Sequence, residues 1–120
     1  MELENAIDMR AITELRANVG DDDEFLAELI DEFLADAPLQ LESLREGLGT
    51  GDAERARRAA HTLKGTSRTF GAGALGLLCE EVEAQLAAGD LDAGLARLDA
   101  MDVEWFRVRG ELAPLRTGSV

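Results

Sequence analysis

The sequence predicts an all-α fold: an up-down-up-down antiparallel four-helix bundle with one additional short N-terminal helix. Three observations carry that expectation. Strand signals are nearly absent, for the chain has no Tyr, few β-branched residues and no run of alternating polarity. Apolar residues recur at helical spacing almost throughout. The connections between helical stretches are short, so sequential long helices should lie as antiparallel neighbours. At 120 residues the chain is long enough for one core, giving a single domain, 1–120, with the bundle over about residues 21–113.

The elements follow in order. A short first helix is expected over residues 8–17, with Asp8 as its cap and Gly20 just past its end. Asp21, Asp22 and Asp23 open the second helix, placing negative charge at its positive end. Its apolar positions are Phe25, Leu26, Leu29, Ile30, Phe33 and Leu34, continuing through Leu41, Leu44 and Leu48. Pro38 lies inside that pattern and should kink the helix or divide it. The third helix starts after Gly51 with Asp52 as cap, and runs to about Phe70 and the Gly71-Ala72-Gly73 turn. A fourth carries Leu75, Leu78, Val82 and Leu86 to a break at Gly89-Asp90. The fifth carries Leu95, Leu98, Met101, Trp105, Val108 and Leu112, and Pro114 stops it. Residues 115–120 read as a frayed tail.

Composition removes several function classes. With 25 acidic against 12 basic residues and a net charge of −13, the chain is unsuited to sequence-independent binding of nucleic acid or anionic membrane. The one cysteine, Cys79, cannot form an internal disulfide and lies in an apolar run with Leu75, Leu77, Leu78 and Val82. It reads as a small core residue. No signal peptide is visible, and no apolar run approaches the roughly 18 residues of a membrane span. The expected compartment is the cytoplasm. A zinc or iron site would need several converging ligands, and one His and one Cys do not supply them, so no metal site is expected.

Against this acidic background one window, residues 55–79, contains no Asp or Glu. It holds the only histidine, His61, and the only lysine, Lys64, followed at once by Gly65. A helix turns about 100° per residue, which places Arg57, Arg58, Lys64, Gly65 and Arg68 within about 60° of His61. Ala59, Leu63, Thr66 and Phe70 fall on the opposite side, flanked by Ala56 and Ser67. The imidazole should therefore point outward among cations. Gly65 lies one turn further along that face, where glycine costs a helix about 1 kcal/mol relative to alanine. Its use there would be steric, since without a side chain another molecule can reach the imidazole. A histidine attacking phosphorus becomes a phosphoramidate with nearly two negative charges. Arg57, Lys64 and Arg68 would neutralise it, Lys64 as a mobile charge. If the third and fourth helices form a hairpin centred on Ala72, position 83 lies level with His61. Glu83 could then accept a hydrogen bond from one ring nitrogen, leaving the other free to attack; Glu80 is the neighbouring alternative.

The segment Ala60-His61-Thr62-Leu63-Lys64-Gly65-Thr66-Ser67, followed by Gly71-Ala72, resembles the signature of histidine-containing phosphotransfer (HPt) domains. That pattern reads His-x-Leu-Lys-Gly-x-Ser/Ala, with a small-residue turn about ten residues after the histidine. The resemblance covers most of residues 8–113 and implies the same four-helix bundle. It also implies a chemistry: His61 accepts a phosphoryl group from an aspartyl phosphate on a receiver domain and passes it to another. Lys64 and Gly65 would serve phosphate contact and receiver access, Glu83 would orient the imidazole, and Arg57, Arg58 and Arg68 would help dock the receiver.

The implied partners are receiver domains of response regulators and hybrid sensor kinases, with the domain itself a monomer. No cofactor is expected on this chain, because the aspartates and Mg2+ belong to the receivers, which supply the electrostatic work of transfer. With no nucleotide loop in the sequence, the expectation is a relay intermediate and not a kinase. The rival reading is a module that docks receivers without carrying phosphate, and retention of both His61 and Lys64 speaks against it.

Overall fold

The computed structural model describes residues 5–117, and the described residues contain helices and no strand. Residues 1–4 and 118–120, the latter part of the expected tail, lie outside that range. Helix α1 spans Met9–Asn18, and the Asp8 carboxylate caps it by accepting from the Arg10 N–H. The chain reverses through Gly20 and Asp21, both at positive φ. Helix α2, Asp23–Thr50, begins at Asp22, whose side chain accepts from the Phe25 N–H. Asp52 caps α3, Ala53–Thr69, in the same way through the Arg55 N–H. These short acidic side chains satisfy amide donors that no helical carbonyl can reach.

Helix α2 is not divided at Pro38. Proline within a helix costs roughly 3 kcal/mol through its lost N–H and ring clash. Here Pro38 faces solvent, where water can take up the freed carbonyl. On the other face Leu26, Ile30, Phe33, Ala37, Leu41, Leu44 and Leu48 form one buried stripe across the proline. Burying several large side chains at about 1.5–3 kcal/mol each outweighs one defect. The stripe starts at Leu26; Phe25, expected within it, is exposed.

Helices α2 and α3 pack as an antiparallel hairpin. Arg55 reaches back to Glu46 at 2.6 Å and to the Ser43 hydroxyl at 3.1 Å. Gly47 permits the close approach, since a Cβ there would stand 2.7 Å from the Ala56 amide nitrogen. Gly51 closes α2 in the left-handed conformation, with φ 77°. Helix α4, Gly73–Ala87, returns along α3 through the Gly71-Ala72 turn, and Gly71 also has positive φ. Gly76 of this second hairpin leaves room for the Arg68 side chain, whose Cγ a Cβ there would approach to 3.2 Å.

The expected single fifth helix is two: α5, Leu91–Leu95, and α6, Leu98–Leu112. Asp90 caps the first piece through the Ala93 N–H. Gly94 then lies so close to Leu48 that a Cβ would meet its Cδ2 at 2.9 Å. A turn at Ala96-Arg97 separates α5 from α6, and Leu95, expected in the core, is exposed. Pro114 falls in a 3-10 turn, Ala113–Thr117, that follows α6 directly. Residues 115–117, expected to fray, therefore belong to this turn, and Arg116 pairs with Asp31 at 3.1 Å.

The core draws on every long helix. Phe33 stacks on Phe70 at 4.7 Å and meets the edge of Trp105 at 5.4 Å. Ile30, Leu44, Leu63, Leu75, Val82, Met101, Val108 and Leu112 are fully buried around them. Cys79 is buried too, and desolvation pushes its thiol up to about 12. Before α1, Ala6 and Ile7 are buried, and their N–H groups donate to the two Glu111 carboxylate oxygens at 2.8 and 2.9 Å. The Asp8 N–H donates to the Gly71 carbonyl at 2.9 Å, fastening this segment to the turn between α3 and α4.

Candidate functional site

Helix α3 is amphipathic. Ala56, Ala59, Ala60, Leu63 and Ser67 are buried, so the side opposite them faces solvent. His61 lies on that outer side with its side chain 66% exposed. Its Nδ1 stands 3.1 Å from Glu83 Oε2. An ionised carboxylate can only accept, so Nδ1 carries the proton and donates it, and in the neutral ring Nε2 is left with its lone pair.

Glu83 holds a second partner. Lys64 Nζ lies 2.6 Å from Glu83 Oε1, and both side chains are less than one-fifth exposed. Burial pushes the Glu83 carboxyl upward, but hydrogen bonds from Lys64 and from His61 together outweigh it and hold the group below its ordinary value. The carboxylate thus stays ionised and bridges the lysine and the imidazole. Lys64, expected as a mobile charge, is instead tethered. The reason is the hairpin register, which brings Glu83 level with both residues.

Gly65 is exposed, and a Cβ built on it would meet nothing within 4 Å. The space one turn from the imidazole is open. Arg57 and Arg68 are also exposed, but each already has a partner. Arg57 pairs with Glu54 at 2.9 Å within α3, and Arg68 pairs with Glu80 of α4 at 3.0 Å. Glu80, the alternative orienter of the imidazole, is committed to Arg68. Among the described residues Arg58 makes no ion pair.

The acid-free window is therefore acid-free in sequence but not in space. Glu54 and Glu80, the acids at its two borders, fold back onto its arginines, and Glu83 takes its lysine. Sequence reasoning passed over Gly76. A Cβ there would stand 3.2 Å from Arg68 Cγ, so this glycine lets Arg68 lie along α4 and reach Glu80. Its signal was available, since a small residue recurring in a helix that faces another marks close approach. Among the described residues no group of His, Cys, Asp and Glu could hold a metal ion. Among the described residues no helix is long and apolar enough to cross a membrane.

The site offers one aimed nitrogen lone pair, an open approach beside it, and cations held close by. That arrangement suits nucleophilic attack on a centre carried by another molecule. A comparison with curated proteins found no match. Among solved structures, the chain is similar to histidine-containing phosphotransfer protein B (HptB) from Pseudomonas aeruginosa PAO1. The identity is 30%, the TM-score 0.86, and the match covers 96% of this chain and 97% of that one. The model of the Hpt domain matches residues 28–118, a span that includes α3, α4 and the whole His61 site. The chain belongs to the Hpt domain family.

Proposed function

We propose that His61 is the phosphoacceptor of a phosphorelay, taking a phosphoryl group from the aspartyl phosphate of one receiver domain and giving it to another. Nε2 attacks phosphorus as the bond to the aspartyl oxygen breaks, and the electron pair of that bond leaves with the carboxylate. The product is an Nε2-phosphoimidazolium whose Nδ1–H faces Glu83, so the positive charge of the ring forms against a carboxylate already in place. No proton has to move. Transfer to the next receiver reverses the step: the Nε2–P bond breaks, its electron pair returns to the ring, and an aspartate oxygen takes the phosphorus.

The observation that carries this reading is the exposed imidazole whose Nδ1 is engaged by Glu83 beside the open space over Gly65. Lys64 is close enough to share its ammonium between Glu83 and an arriving phosphoryl oxygen. Arg58, Arg57 and Arg68 surround the approach and would meet the receiver. The receivers of response regulators or hybrid kinases bring the aspartates and the magnesium, so this chain needs no cofactor and no ATP site. It acts as a monomeric, cytoplasmic relay intermediate without kinase activity of its own. Its one domain, 1–120, is read as an up-down-up-down bundle of α2, α3, α4 and α6.

The test is labelling by a phosphorylated receiver with Mg2+. The wild type should acquire acid-labile, base-stable phosphate, and His61→Gln should acquire none. Label persisting in His61→Gln, or label stable to acid, would overturn the assignment.

A further inference from the structure

The cations around His61 are answered, almost one for one, by carboxylates. Four of them, Arg57, Arg58, Lys64 and Arg68, share the histidine's side of α3, and three are paired with Glu54, Glu83 and Glu80. Glu83 has a task at the imidazole. Glu54 and Glu80 touch neither His61 nor Lys64 and are more than half exposed. Exposed pairs of this kind contribute little to stability, because water screens them and holding two long side chains in one geometry costs entropy. Their placement is nonetheless particular, because Arg57 also feels the Glu83 charge and Arg68 passes beside Gly76, where a Cβ would stand 3.2 Å from its Cγ, to reach Glu80.

Resting on the phosphoacceptor role of His61, we infer that Glu54 and Glu80 set its phosphoryl-transfer potential by keeping Arg57 and Arg68 partly neutralised. A phosphoryl group on Nε2 brings close to two negative charges into the cluster. An unpaired arginine would turn its planar fork onto the phosphate oxygens and hold them. A paired one must first give up its carboxylate, so the phosphorylated state gains only the difference between two similar contacts. The phosphoimidazole is thereby kept from settling. When it hands on its phosphoryl group, breaking Nε2–P and forming P–O on an aspartate, few ionic contacts to this chain are lost. Such a balance suits an intermediate that must both accept and release, and would be wrong for a phosphate store.

The test uses the full chain and ammonium phosphoramidate as donor, whose P–N bond breaks with loss of ammonia as His61 is phosphorylated. After removal of the donor, the phosphohistidine half-life is followed by 31P NMR and intact mass in the wild type, Glu54→Gln, Glu80→Gln and Arg68→Gln/Glu80→Gln. Circular dichroism checks that each is folded. Freeing one arginine should lengthen the half-life roughly three- to tenfold in each single variant, less so at 1 M salt, where the screening length is only about 3 Å. The double variant should return to within about twofold of wild type. Half-lives of both single variants within about twofold of wild type overturn the inference. So does a double variant as long-lived as Glu80→Gln, which would mean that the carboxylate acts by direct repulsion and not through Arg68. If the wild type takes no phosphate from the donor, or His61→Gln takes as much, the phosphoacceptor assignment falls with it, a result distinct from the other two.

Discussion

Replacing Gly65 with glutamine separates the requirements of the fold from those of the chemistry. The position is exposed and mid-helical, with nothing within 4 Å of a built Cβ, so the new side chain meets no steric cost. Glycine is about 0.8–1 kcal/mol worse than alanine in a helix, and glutamine is close to alanine. The variant should therefore gain roughly 0.5–1 kcal/mol and melt a few degrees higher, on the order of 2–5 °C for a domain of this size. Its effect on transfer has the opposite sign. Residues four apart on a helix have Cβ atoms roughly 5–6 Å apart, so the amide group would stand where the receiver must come close to Nε2. Reacting atoms need to approach to about 3–3.5 Å, and a displacement of 1 Å can cost ~10²-fold. Transfer from a phosphorylated receiver should fall by about 100-fold or more in Gly65→Gln, with Gly65→Ala between it and wild type. Thermal melting and rapid-quench transfer kinetics check the two halves. A lower melting point would show that Gly65 is a packing residue, and normal transfer in a folded variant would refute the access argument. Gly47→Ala serves as contrast: its Cβ would lie 2.7 Å from a backbone nitrogen, so it should lose roughly 1–3 kcal/mol.

Lys64→Ala should slow transfer about tenfold, because it removes the ammonium beside His61. Arg55→Ala should leave transfer within about twofold and cost at most ~1 kcal/mol in urea unfolding, since Arg55 holds Glu46 and Ser43 on the far side of the hairpin; equal kinetic effects would remove any special role for Lys64. Ser67 is buried with no partner for its hydroxyl among the described residues, so Ser67→Ala should keep or raise stability, by up to ~1 kcal/mol, and a loss of 2 kcal/mol or more on melting would reveal a bond to that oxygen. The Glu83 carboxyl is depressed from an ordinary value of 4.5, so its contribution to stability is fully present above that pH and is lost as pH falls through the lower folded value. Glu83→Gln should unfold with a flatter dependence on pH below about 4.5 than wild type, and identical acid profiles would mean that the bridge to Lys64 and His61 contributes nothing.

The parts of the fold legible in the sequence are those decided within a few residues. Asp8, Asp52 and the Gly89-Asp90 break announced helix boundaries because a short acidic side chain satisfies amides two or three positions ahead. The register of Glu83 with His61 was equally legible, since a tight turn at Ala72 leaves an antiparallel pair little freedom. What was not legible depended on distant contacts. The unbroken course of α2 through Pro38 follows from a buried stripe that spans the proline. The short α5, which ends before α6, packs where Gly94 meets Leu48, more than forty positions earlier in the chain. The same limit applied at the site: local spacing put cations around His61, but the partners of Arg68 and Lys64 come from α4, and only their packing shows that the charges are tied.

Glu111 and Gly71 together tie the residues before α1 to two remote places, the end of α6 and the turn that closes the histidine helix. The Ala6, Ile7 and Asp8 amides are consequently sealed by a carboxylate and a carbonyl that belong to the last and middle parts of the fold. In native-state hydrogen exchange these three should open with the whole molecule, at a free energy near that of global unfolding, and not fray early as chain ends ordinarily do. Peeling this segment away would uncover the buried Ala6 and Ile7 side chains. It would also take three amide donors from the Glu111 carboxylate and the Gly71 carbonyl, the contacts that seal the turn closing the phosphoacceptor helix.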